Sequence, residues 1–190
     1  MPSRRTLVAV GVTAAIVLVA GLVTAVRAQG SAHRPHLDAA ARRLVPAIER
    51  YLSTPAAGAW AGPLARKRPG QARWSCAVDA IESRTTRTGL RVGLLASCAE
   101  YLRDGDRLVT DASYASPLVV LLARRGSGYV PARVQHPGDG TRFTWSVRRM
   151  FTPAGARAAL RASANGAYPD PAPAARRGFG LPPDAPIVQG

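Results

Sequence analysis

The chain has 190 residues, of which 47% are hydrophobic, and carries a formal net charge of +15. That is enough for one ordinary domain with extensions, and too apolar for a chain disordered throughout. The charge invites nucleic acid, but 25 of the 26 basic residues are Arg and only Lys67 is Lys, scattered among abundant Ala, Gly, Pro and Val. Such usage follows from GC-rich codons, and no contiguous basic stripe of the kind that tracks a phosphate backbone is legible.

Residues 6–26, TLVAVGVTAAIVLVAGLVTAV, contain no charge. As a helix they extend about 31 Å, enough to cross a hydrocarbon layer of roughly 30 Å. Arg4 and Arg5 precede them, which keeps the start cytoplasmic and sends the rest across. Residues 1–28 then form either a single-pass membrane anchor with the C-terminal part outside, or a signal removed behind Ala28. The run exceeds the about 7–15 apolar residues usual in a cleaved signal, and Arg27 adjoins the scissile bond, which favours the anchor. No cysteine follows the run, so a lipoprotein anchor is excluded. On either route the remainder is extracytoplasmic, and removing Arg4, Arg5 and Arg27 from the +15 leaves +12. Export leaves the membrane and envelope proteins as expected partners, not nucleic acid.

After a tether at 29–36, an α+β domain is expected over 37–164. Leu37, Ala41, Leu44, Val45, Ile48 and Leu52 recur at spacings of three and four, the mark of an amphipathic helix. Asp38 suits its first turn or cap, and Pro46 should bend or delay it. The Pro- and Gly-rich STPAAGAWAGPLARKRPGQ reads as a loop, with Trp60 as a packing plug.

RWSCAVDAIES and GLRVGLLASCAEY then alternate as strands. They hold the only two cysteines, Cys76 and Cys98. Folded antiparallel with the cysteines opposite, the strands set Arg84 against Leu90 and leave Thr85 to Gly89 as a five-residue loop. Glu82 and Arg84 then interrupt the apolar face near the tip. Cross-strand neighbours lie about 4.5–5.5 Å apart at Cβ, close to disulfide geometry, and an exported domain can be oxidised. A Cys76–Cys98 bridge is expected.

An Asp-Gly turn at Asp104-Gly105 leads to a second hairpin pattern, SPLVVLLAR, RGSG, YVPARVQ. HPGDG makes a further turn, and TRFTWSVRRM reads as a strand in which Phe143, Trp145 and Val147 alternate with polar residues. Thr152-Pro153 is an N-cap with Pro at the first helical position, starting PAGARAALRASA, which stops at Asn165-Gly166. The remainder, 165–190, is Pro-rich, without periodicity, and expected to be a disordered tail.

One helix, about five strands in hairpins and a short helix make an element order that resembles the cystatin-like and NTF2-like superfamily, including its membrane-anchored extracytoplasmic members. The resemblance covers residues 37 to about 151 and implies one amphipathic helix packed on a curved antiparallel sheet of about five strands. It carries no motif and so no functional residue.

The chemical inventory is thin. No GxSxG, Walker, Rossmann or HExxH pattern occurs. His33 and His36 fall in the tether. His136 and Asp139 are an acid/base pair in principle, but Pro137, Gly138 and Gly140 beside them are what a tight turn requires. Asp79, Glu82, Glu100 and Asp111 would make a hydrolytic carboxylate set if the fold brought them together, but are more simply read as partners of neighbouring arginines. Trp74, Tyr114, Tyr129 and Trp145 line either a cleft or a core. No catalytic, cofactor or metal residue is assigned. The expected function is a non-enzymatic, membrane-anchored interaction module that binds an envelope protein. The alternatives are an electrostatic binder of anionic envelope polymers or lipid headgroups, and a small-ligand carrier or enzyme using the sheet's concavity.

Overall fold

Alternation of apolar and polar side chains makes β1 (Arg73–Thr86) and β2 (Gly89–Asp104) an antiparallel pair, with Cys76 opposite Cys98 and disulfide-bonded to it. The expected register holds from Trp74↔Glu100 to Ala80↔Leu94. Ile81 is then an extra residue, and pairing resumes one step out of phase at Glu82↔Gly93. A bulge re-aims the side chains that follow it, because strand faces alternate with period two. Glu82 and Arg84 therefore leave the apolar face for the opposite one, and Arg84 faces Arg91 rather than Leu90. The same slip shortens the expected five-residue loop to Arg87 and Thr88.

β3 (Arg107–Arg125) and β4 (Gly128–Gln135) continue the meander through two-residue turns in which Gly105 (φ 64°) and Gly126 (φ 57°) supply left-handed backbone. The order is β1-β2-β3-β4, and β5 (Ile187–Gln189) lies parallel to Leu108–Thr110 of β3. The domain is thus α+β with a five-stranded mixed sheet, not a wholly antiparallel one. These features come from a computed structural model that describes residues 37–54, 57 and 62–190. The apolar segment 6–26, the tether with its two histidines, and Trp60 lie outside the described residues. Among the described residues no helix is long and apolar enough to cross a membrane.

The expected first helix is two, α1 (Ala39–Arg43) and α2 (Val45–Leu52), broken at Leu44. Pro46, in the first turn of α2, has no N–H to give and its ring would crowd the carbonyl four residues back. Asp38 caps α1, its Oδ1 accepting from the Ala41 N–H at 3.0 Å. α3 (Pro63–Lys67) rises from the stretch expected to be loop. Its signal was present in Gly62-Pro63, a residue able to precede a helix followed by Pro at the first helical position. On the front face of the sheet, Ala41, Ile48 and Leu52 bury against the disulfide, Val92, Leu94, Leu118 and Val120.

The back face is covered as well, by segments the sequence pattern misplaces. Residues 143–150 form helix α4 (Phe143–Met150), not a strand. Phe143, Val147 and Met150 recur at i, i+4 and i+7 and pack with α5 (Pro153–Ala164) on Ile81, Val119 and Leu121. Trp145, which made the alternation look strand-like, points off that face and is 60% exposed. The tail is ordered too. α6 (Ala172–Gly178), Leu181 and Ala185 bury against Ala99, Tyr101 and Leu108, and the chain ends beside β3 as β5. With both faces covered, β2 is buried along nearly its whole length.

Candidate functional site

The carboxylates considered as a catalytic set do not converge. Glu100 is completely buried on the front face, where Oε2 and Oε1 accept from the Leu64 and Ala65 N–H groups at 3.0 and 2.8 Å. It thus caps α3 from a distant strand, and a Cβ on Gly62 would lie 2.1 Å from Oε2. Glu82, carried to the back face by the bulge, does the same for α5. It accepts from the N–H of Thr152 at 3.0 Å and from the Thr152 hydroxyl, which in turn accepts from the Gly155 N–H at 3.1 Å. In a capping box that carboxylate comes from the third helical residue. Here that residue is Gly155, whose missing side chain leaves the space: a Cβ would sit 2.0 Å from Glu82 Oε2.

Glu49 accepts from the Val78 N–H on the sheet edge at 3.2 Å, and Asp170 accepts from the Ala172 N–H at 2.9 Å. Asp111 pairs with Lys67 and Asp104 with Arg107, which lowers the Asp104 pKa through a hydrogen bond and charge. Asp79 is exposed. The expectation that Asp79, Glu82, Glu100 and Asp111 partner arginines is therefore corrected: Glu82 and Glu100 serve backbone N–H groups and Asp111 pairs with Lys67, because helix starts leave donors that need acceptors.

Of the four aromatics, three belong to the front face. Trp74 and Tyr114 have ring centroids 6.0 Å apart, and with Tyr129 they pack on the core around the disulfide. Burial raises the Tyr114 pKa. Trp145 is remote from them in the fold, on α4 over the back face, with the Arg149 guanidinium 4.7 Å from its ring centroid.

What the sheet does assemble is arginine. Register pairs Arg84 with Arg91, Arg91 with Leu121 and Leu121 with Arg133, so one row across four strands presents three arginines on the back face. α4 runs over that row and adds Arg149. Between them lies an open groove of about 600 Å³ lined by Arg84, Arg91, Arg133, Gln135, Trp145 and Arg149, with His136 also in its wall. It deepens into a lobe of about 290 Å³ between Glu82, Gly93, Met150 and Phe151. Gly93 is required for that floor, since a Cβ there would stand 2.6 Å from the Phe151 ring.

Like charges directly opposite on neighbouring strands are destabilising. All eleven acidic residues lie within the described part of the chain, and none forms a salt bridge with these arginines. Arg91 instead donates to Gln135 Oε1 at 2.7 Å and to the Met150 carbonyl, which fixes its guanidinium beneath α4. Partial burial, then the charge of Arg84, lowers its pKa, against a smaller opposing pull from Glu82. His136 retains solvent exposure, yet packing around its ring lowers its pKa, with Asp139 opposing. The HPGDG segment forms the turn its glycines require, Gly140 having φ 56°.

The arrangement offers one fixed cationic fork, Arg91, with three exposed guanidiniums, an amide and an indole face around it, to a ligand bearing more than one negative oxygen. Among the described residues no group of three or more His, Cys, Asp or Glu is placed to hold a metal ion. Sequence reasoning missed the groove because its arginines are far apart along the chain and only strand register aligns them. Comparison with protein families, with known protein sequences and with solved structures finds no match to this chain.

Proposed function

We propose that the chain is a non-enzymatic, membrane-anchored extracytoplasmic domain that binds a phosphate-bearing anionic ligand of the cell envelope in the arginine groove. The observation that carries this reading is the row Arg84–Arg91–Arg133 beneath Arg149, in which no arginine is salt-bridged and the one neighbouring carboxylate, Glu82, is engaged by Thr152. Such a row is unfavourable in the free protein and favourable once an anion arrives. The apolar segment 6–26 supplies the anchor, with secretion after cleavage at Ala28 as the alternative. The disulfide suits the oxidising side of the membrane. The resemblance to cystatin-like and NTF2-like domains stays part of the proposal, supported by a helical segment preceding a sheet of successive hairpins.

The test is calorimetric titration of the full chain in detergent with tripolyphosphate. Saturable binding is expected, weakening as salt rises, and weakened further by Arg84→Gln or Arg133→Gln but not by Arg107→Gln. Absence of saturable binding, or equal losses in all three variants, refutes the reading. A second reading, docking of an envelope protein, has its own observation. Between the stretches of β3 paired with β5 and β4, residues 111–118 have no strand partner on that edge among the described residues. An extended peptide could add there, and a photo-crosslinker at exposed Ala115 should then capture a protein in membranes.

A further inference from the structure

Resting on that anion-binding reading, we infer that the groove's ligand is the phosphate of an anionic phospholipid in the anchor's own membrane, and that Trp145 enters the interface beside it. Three independent features point the same way.

The first is where the chain enters the domain. The Asp38 N–H donates to Ser83 Oγ at 3.0 Å, and Ser83 lies next to Arg84 in β1 and lines the inner lobe of the groove. Val26 and Leu37 are separated by ten residues, a reach of about 35 Å when fully extended. The groove therefore adjoins Asp38, which lies close in sequence to the apolar segment.

The second is the distribution of charge along the strands. The β1–β2 and β3–β4 turns share one end of the sheet, which also carries the groove. Arg84, Arg87, Arg91, Arg124, Arg125 and Arg133 all belong to that end. Its neighbouring acids Asp38 and Glu82 are occupied in capping helices. The opposite turn, Asp104–Gly105–Asp106–Arg107, carries two acids of its own. The groove end thus gathers six strand arginines whose neighbouring acids are engaged by backbone, whereas at the opposite end Arg73, Arg103 and Arg107 are accompanied by Asp104 and Asp106.

The third is Trp145. It is the most exposed large apolar side chain among the described residues, at 60%, and is flanked on α4 by exposed Arg148 and Arg149. Tryptophan is at home at the membrane–water boundary, where its ring is half apolar and its N–H stays wet. A soluble anionic polymer would satisfy the arginines but would leave the exposed part of this ring in water, whereas a bilayer interface would cover it.

The test uses the full chain reconstituted in bilayers whose acyl chains are brominated. Quenching attributable to Trp145 is the difference between the native chain and Trp145→Phe. It is expected in bilayers containing phosphatidylglycerol, and absent in pure phosphatidylcholine. Arg84→Gln and Arg133→Gln, both exposed positions, should each reduce the docked-to-undocked ratio on the order of fivefold. Retention of the Cys76–Cys98 bridge and of the native circular dichroism verifies that the variants fold. Equal quenching in both bilayers, none in either, or indifference to the two arginines overturns the inference. If tripolyphosphate still binds the detergent-solubilised chain in those cases, the anion-binding reading stands and only the membrane source falls. If neither probe binds, both fall.

Discussion

Replacing Glu100 by Gln changes one oxygen to an amide and leaves volume and burial almost untouched, so it isolates the electrostatic part of helix capping across the sheet. In the native domain both oxygens accept from backbone, Leu64 N–H at 3.0 Å and Ala65 N–H at 2.8 Å, with the side chain fully buried. In the variant, whichever way the amide turns, its NH2 confronts one of those N–H groups, donor against donor. The other bond survives but loses its charge. A buried donor left unmade costs about 1–3 kcal/mol, and weakening a charge-assisted bond to a neutral one about 1 kcal/mol more. Gly62 packs directly against the carboxylate, so the amide cannot swing aside to water. The expected loss is about 3 kcal/mol, which for a domain of this size lowers Tm by about 6–12 °C. Scanning calorimetry of the full chain in detergent, with the disulfide intact, measures it. Hydrogen exchange at the Leu64 and Ala65 amides should quicken more than exchange in β2. A Tm within about 1 °C of the native protein would refute the claim that this carboxylate holds α3 by its charge.

Other consequences follow from the same physics. Reducing Cys76–Cys98, which closes a loop with a sequence separation of 22, should destabilise the domain by about 3 kcal/mol in the chain-entropy model; a thermal shift on adding a reductant, absent in a Cys76→Ala/Cys98→Ala double variant, reads this out. Gly93→Ala places a methyl 2.6 Å from the Phe151 ring and should push the end of α4 off the sheet, at about 1–3 kcal/mol; it should weaken tripolyphosphate binding in titration while leaving the front-face disulfide formed. The His136 pKa is depressed from its ordinary 6.5, chiefly by burial. As pH falls from that ordinary value through the depressed one, the unfolded chain takes up the proton first, so free-domain stability declines. Over the same range the new imidazolium should tighten polyanion binding, and a pH series of titrations should flatten in His136→Asn.

Some of this molecule is written locally, and that part reads correctly from residues alone. Alternation over Trp74, Cys76, Val78 and Ala80 against Leu94, Ala96 and Cys98 sets a register within one hairpin, and the disulfide follows from it. The Thr152-Pro153 start and Asn165-Gly166 stop of α5 are equally local, since caps are made by neighbours. The break at Pro46 is a property of the proline ring.

Where reading fails, the deciding contacts are distant. FTWSVRRM satisfies both a two-residue and a 3.6-residue period, and only the sheet beneath Phe143, Val147 and Met150 chooses the helix. The tail has no periodicity of its own because its order comes from Ala99, Tyr101 and Leu108, far back in the chain. The extra residue at Ile81 is silent in sequence, yet it turns Glu82 toward α5 and Arg84 toward Arg91.

The groove itself is the extreme case. Composition alone determines that the protein is rich in unbalanced arginine, and hydropathy alone sets out a membrane-length apolar segment ahead of the domain. That Arg84, Arg91 and Arg133 stand in one row is decided only when hydrogen bonds align four strands, because strand register is a relation between segments and no single segment contains it.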